Sequence, residues 1–208
     1  IVERDGAMIL TATTSDAAGV SPTVINVLRS SDGVVWERLS TIASDAATPV
    51  SIEAFQLYTL GSTLVLHGGD MACQFTGSNA IQNIGPAYQA RLWTSTDGGA
   101  TWAARASTDT GLDSGQPPLP GAAECDGLGI QDVLDKYASG PRSLRMVDQL
   151  LTVWTADGQR IVTSADGITW SSSTLDGATP QPSEIVAEPE ASSEASAIVN
   201  LDGQFVAM

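Results

Sequence analysis

The 208-residue sequence has a single lysine, Lys136, a single histidine, His67, and two cysteines, Cys73 and Cys125. Lysine and arginine together number 9 against 24 aspartates and glutamates, a formal net charge of −15. Such a surface repels phosphate backbones and anionic headgroups, which argues against nucleic acid and membrane surfaces as partners. No apolar run approaches the length needed to span a bilayer, so no membrane insertion is expected. Neither cysteine sits in a CxxC pair, which leaves a metal or redox centre without support. The sequence also lacks a phosphate-cradling glycine loop and a nucleophile elbow, and no cofactor is expected. The chain opens on Ile1 in what reads as a strand, so any export signal is expected upstream. The scarcity of lysine, the acidity and the abundance of Ala, Ser, Thr and Gly fit an exported protein, extracellular or at the cell surface, or one adapted to salt.

What is present is a repeat. "SSDGVVW" at 30–36, "STDGGATW" at 95–102 and "SADGITW" at 164–170 end on Trp36, Trp102 and Trp170, at intervals of 66 and 68 residues. Strand-like runs surround each motif. They fall at 1–3, 7–14, 24–31 and 34–41, at 51–60, 63–69, 87–95 and 101–107, and at 143–147, 150–156, 159–164 and 168–174. Short turns such as Asp5-Gly6 and Asp157-Gly158 join them, a strong hairpin signal. "IVERDGAMILTA" at the start resembles "IVNLDGQFVAM" at 198–208, so a fourth unit begins at 196–208. The second run of each unit is almost wholly apolar, as in a strand covered on both faces. The fourth turns polar, as at an outer edge. The expected fold is all-β: a β-propeller of four-stranded antiparallel blades near 1–41, 51–107, 143–174 and, incomplete, 196–208. Insertions fall at 15–23, 70–86, 108–142 and 175–195. The remainder of the propeller would come from further sequence or another chain. The rival architecture is a β-sandwich.

The motif resembles the Asp-box, or BNR repeat, of sialidases, sortilin-type receptors, some xyloglucanases and photosystem II assembly factors. "STDGGATW" matches at every position, whereas the other two are one residue shorter in the turn. The resemblance implies a propeller whose motif turns lie opposite the catalytic face. The structural set is then Asp32, Trp36, Ser95, Asp97, Gly99, Trp102, Asp166 and Trp170. The aspartates accept hydrogen bonds from backbone N–H groups of their own turns. Gly33, Gly98, Gly99 and Gly167 supply positive φ, and the tryptophans fold between sheets.

Function is expected at the opposite end, among the long insertions. Strand direction places Glu53, His67, Asp70, Arg91, Arg142 and Arg145 near that end and the central channel. Glu53 and Asp70 could form the carboxylate pair of a glycosidase. The plainer alternative is arginine–carboxylate pairing across strands, with His67 as a hydrogen-bonded rim residue beside Gly68-Gly69. The arginine triad and Tyr–Glu nucleophile of retaining sialidases are not recognisable, and no Phe/Tyr-Arg-Ile-Pro motif occurs. A short helix is read at 129–141. A disulfide between Cys73 and Cys125 is expected, since both fall in insertions adjoining one blade. The function expected is a binding or scaffolding module for a protein or glycan partner. The alternative is a glycoside hydrolase of sialidase or xyloglucanase type.

Overall fold

The computed structural model describes residues 1–15, 22–43, 51–72, 87–105, 110–112, 118–121, 124, 144–155, 160–174, 198–201 and 204–207. It is all-β. The first sheet is a meander of β1 (Val2–Arg4), β2 (Ala7–Ser15), β3 (Pro22–Ser30) and β4 (Glu37–Ala43). The second holds β5 (Ser51–Leu60), β6 (Thr63–Ala72), β7 (Ala87–Ser95) and β8 (Ala103–Ala104). The third holds β9 (Leu144–Val147), β10 (Leu150–Trp154), β11 (Arg160–Ser164) and β12 (Ser171–Thr174). A hairpin of β13 (Ile198–Leu201) and β14 (Gln204–Ala207) lies beside β9. All pairings are antiparallel.

Side-chain alternation explains the stacking. On the first sheet Ile9, Ile25, Val27 and Ile42 point to one side and meet Ile52, Leu57, Leu64, Leu66 and Trp93 of the second. The opposite side of the second sheet carries Val65, Met71, Tyr88, Ala90 and Leu92. These meet Leu144, Leu151, Val153 and Val162 of the third. The second sheet is therefore covered on both sides, and every residue of β6 is buried. A two-sheet sandwich has one such seam. Two seams in series, each between consecutive meanders, are the stacking of propeller blades.

Differences from the sequence reading are local. The fourth strands begin later than expected, at Glu37, Ala103 and Ser171, because each motif turn runs through its tryptophan. β6 continues to Ala72, into a stretch read as loop. Leu112, within the insertion read at 108–142, is buried in the seam between the second and third sheets. Gly111 precedes it at φ +67, against Thr155 and Val162. The helix read at 129–141 lies outside the described residues, as do Arg142 and both cysteines of the expected disulfide.

Candidate functional site

The three motif turns share one hydrogen-bond scheme. In the first, the Ser30 hydroxyl donates to Asp32 Oδ1 and accepts from Gly33 N at 2.8 Å. Asp32 Oδ1 accepts from Val34 N and Val35 N at 2.8 and 2.9 Å. In the third, Ser164 holds Gly167 N at 2.8 Å, and Asp166 Oδ1 takes Ile168 N and Thr169 N. In the second, Ser95 holds Gly99 N at 2.8 Å, and Asp97 takes the backbone N–H and hydroxyl of Thr101. The tryptophan closes each turn, with Nε1 donating to the carbonyl of Gly33, Gly99 or Gly167. Gly33, Gly99 and Gly167 are thus equivalent, and Gly98 is the extra residue of the longer turn. All four have positive φ. These donors hold the carboxyls of Asp32, Asp97 and Asp166 below the usual aspartate range; for Asp97 the Thr101 hydroxyl and N–H are the main cause.

The turns also connect sheets. The Ser40 hydroxyl on β4 donates to Gly99 O and accepts from Trp102 Nε1 at 3.2 Å, tying the first sheet to the turn of the second. Trp102 and Trp170 are half-buried against the two seams, while Trp36 joins neither. The hairpin turn at Asp5-Gly6 and the turn at 96–98 line one cleft of about 250 Å³, so hairpin and motif turns share an end of the molecule. The buried donor here is Gly99 N, held by Ser95, whereas the Thr101 N–H held by Asp97 is exposed. Ser95→Ala is therefore expected to cost about 2 kcal/mol and Asp97→Ala about 1 kcal/mol. Paired urea titrations of the two variants check that order, and equal costs would sink it.

The other end of the second sheet holds most of the remaining candidates. Register separates them. Asp70 pairs with Ile52 and Gln89 and shares their side, toward the first sheet. Arg91 points the same way, and its Nε donates to Asp70 Oδ2 at 2.7 Å. Glu53 pairs with Gly69 and lies on the opposite side, toward the third sheet. His67 shares that side and contacts the Phe55 ring with centroids 5.7 Å apart. Phe55 in turn meets Tyr88 edge-on at 5.3 Å, at a β-bulge between Ala54 and Gln56. The Tyr88 ring lies across Gly69, and its hydroxyl donates to Gly68 O at 2.7 Å. Arg145 sits on β9 of the third sheet, close enough to act on the Tyr58 hydroxyl, which donates to Leu144 O at 2.8 Å.

Two expectations change. Glu53 and Asp70 do not converge on one pocket, because neighbouring register positions face opposite sides of a sheet. His67 is not a rim residue: it is 5% exposed, its Nε2 has no hydrogen-bond partner, and burial pulls its pKa down to about 4. Asp70 is fully buried, with Oδ1 unpartnered. Burial first, then Glu53 and Asp70, push the Tyr88 hydroxyl well above the tyrosine range. At this end Phe55 is 39% exposed, and Glu53 and Arg91 are partly exposed. Among the described residues no group of three or more His, Cys, Asp and Glu side chains is arranged to hold a metal. No described helix is long and apolar enough to cross a membrane.

Sequence reasoning missed the motif serines' role, Ser40, Phe55 and Tyr88. A signal existed for the serines, which stand two residues before each motif aspartate. None existed for the others, whose partners lie on other strands.

Comparison with known proteins adds little beyond the strand arrangement. No protein-family model matches the chain, and no curated protein matches it. Among solved structures, a GH32 β-fructofuranosidase from Bombyx mori is similar over 98% of this chain and 38% of its own, at 15% identity and a TM-score of 0.42. A mutant α-L-arabinofuranosidase from Fusarium graminearum, complexed with an iminosugar inhibitor, is similar over 85% of this chain and 60% of its own. Its identity is 17% and its TM-score 0.35. The chain therefore spans less than two thirds of either. At these scores neither likeness transfers an activity or a substrate.

Proposed function

We propose that the chain is part of a secreted or cell-surface propeller of the Asp-box type that binds a glycan at the end opposite the motif turns. The observation that carries this reading is the exposed Phe55, two residues after Glu53 on β5, with its ring packed against His67 and Tyr88. An exposed aromatic ring on the same strand as a carboxylate suits a sugar, whose C–H face stacks on the ring while hydroxyls donate to an acid. A hydrolytic role needs two carboxyls across one pocket. Glu53 and Asp70 face opposite sides, and Asp70 is committed to Arg91. Binding without turnover therefore fits the described residues better than hydrolysis.

The test is a glycan array followed by titration calorimetry of the best oligosaccharide. Phe55→Ala is expected to weaken binding roughly tenfold, about 1.4 kcal/mol, while Asp97→Ala leaves it unchanged in folded protein. A blank array, or Phe55→Ala binding like the parent, would overturn the reading. Release of reducing sugar from the bound oligosaccharide would replace it with hydrolysis.

A further inference from the structure

The two formed seams differ at their motif-turn ends. Ser30 and Ser95 are equivalent, and pair with Met8 and Leu64. One position earlier, Arg29 pairs with Ile9 where Thr94 pairs with Val65. At the hairpin, Arg4 pairs with Ala7 where Leu60 pairs with Thr63. In the second seam this corner is closed. Leu60 and Thr94 are 7% and 2% exposed, and a β-carbon on Gly167 of the third motif turn would meet Val65 and Thr94. In the first seam two arginines take those places, and the corner stays open as the cleft of about 250 Å³. The motif turn opposite them is one residue longer. Its extra Gly98 lines the cleft, and a β-carbon there would meet nothing within 4 Å.

Neither arginine is fully used by the protein. The Arg4 side chain is only 13% exposed, yet its Nη1 is buried without a hydrogen-bond partner. Its Nε reaches Asp5 Oδ2 at 3.3 Å, but the Asp5 side chain is 82% exposed, so that pair is weak. Arg29 is exposed, and its guanidinium forms no ion pair among the described residues. A buried guanidinium N–H costs free energy until an acceptor reaches it. Two of the 9 basic residues in a chain of net charge −15 thus line one cleft.

We propose that this cleft binds a hydroxylated monocarboxylate the size of one sugar ring, a uronic acid by chemical class. The guanidiniums of Arg4 and Arg29 take the carboxylate, which supplies the acceptor that Arg4 Nη1 lacks. Asp5 and Asp97 also line the cleft and offset the two arginine charges. A doubly charged phosphate is therefore disfavoured, whereas one carboxylate accompanied by hydroxyl groups fits. Asp97 already accepts from Ser95 and Thr101, so the ligand hydroxyls donate to the open Asp5. Ile9 and Leu39 supply an apolar wall for the C–H face of the ring. The cleft belongs to the motif-turn end, away from Phe55, and the inference does not rest on what the Phe55 end binds.

Titration calorimetry of the 208-residue chain tests it, with D-galacturonate, D-glucuronate, their neutral parent sugars and inorganic phosphate as probes. At least one uronate is expected to bind about tenfold or more tighter than its neutral parent and than phosphate. Arg29 is exposed, so Arg29→Gln should fold normally and weaken the uronate about tenfold; Arg4→Gln should weaken it further. Phe55→Ala should leave uronate binding unchanged, and the uronate should shift the amide resonances of Gly98 and Ile9. No binding of either uronate, equal binding of acid and neutral sugar, or tighter binding of phosphate would overturn the proposal. So would full uronate affinity in Arg29→Gln. Uronate binding lost in Phe55→Ala but kept in Arg29→Gln would overturn it in favour of the other end.

Discussion

Gly69→Ala is expected to destabilise the fold by about 3 kcal/mol, far more than one methyl group usually costs. An ideal β-carbon at this position would lie 2.1 Å from Tyr88 Cε2 and 2.6 Å from its hydroxyl oxygen. The backbone of β6 cannot retreat, because it is paired on both sides and its neighbour Gly68 is pressed against the Glu53 carbonyl. The Tyr88 ring must move instead. It then loses its 2.7 Å hydrogen bond to Gly68 O and its edge contact with Phe55. A buried hydroxyl left without a partner adds about 1–3 kcal/mol to the cost of overpacking. Tyr88→Ala removes the obstacle at the expense of a cavity, so the two losses should not add. A double-mutant cycle by urea unfolding is expected to show strong coupling of favourable sign. Simple additivity would mean that the ring does not lie across Gly69.

The second large effect is a loss of stability on acidification, beginning well above the range where carboxylates titrate. His67 is buried between strands with no charged partner, and burial lowers its pKa from 6.5 to about 4. Tyr88 and Glu53 share its side of the sheet, and the Phe55 ring covers it. Above pH 6.5 neither the folded nor the unfolded chain protonates this ring, and its full contribution is present. As pH falls from about 6.5 toward 4 the unfolded chain takes up a proton that the folded chain refuses. Unfolding then becomes easier, by about 3 kcal/mol across the window. Below that window the three motif aspartates add to the loss, because their folded pKa values are depressed and protonation removes the turn hydrogen bonds. Chemical unfolding at pH 7, 5.5 and 4.5 measures the first phase. His67→Leu should flatten it and leave the second phase intact. A parent protein equally stable at pH 7 and 4.5 would show that the ring is solvated or paired.

These two residues bear on the glycan reading as well. On the proposed reading Tyr88 and His67 would not touch the glycan; they pack against the Phe55 ring that would. A variant at either is therefore expected to shift binding and melting temperature together, whereas Glu53→Gln should weaken binding alone.

The sequence by itself determined the repeat, the hairpin order and the motif turns, because those depend on residues within about seven positions of one another. Ser30, Asp32 and Gly33 make their hydrogen bonds inside a single turn, and an apolar alternation needs only neighbouring strands. It also showed which strands are central, since β6 and β10 carry apolar runs, Leu64–Leu66 and Leu150–Leu151, that continue across both faces. It did not show on which side of the sheet each polar candidate falls. Glu53 and Asp70 look like partners along the chain, yet pairing with Gly69 and Ile52 sends them apart. His67 looks like a strand-end residue, but β6 runs five residues beyond it, between two covered faces, and that coverage buries it. The exposed Phe55 follows from a bulge in β5 that no local signal marks. Only the tertiary structure decided these points, because burial and facing come from register and from the sheets on either side, which are far away in sequence.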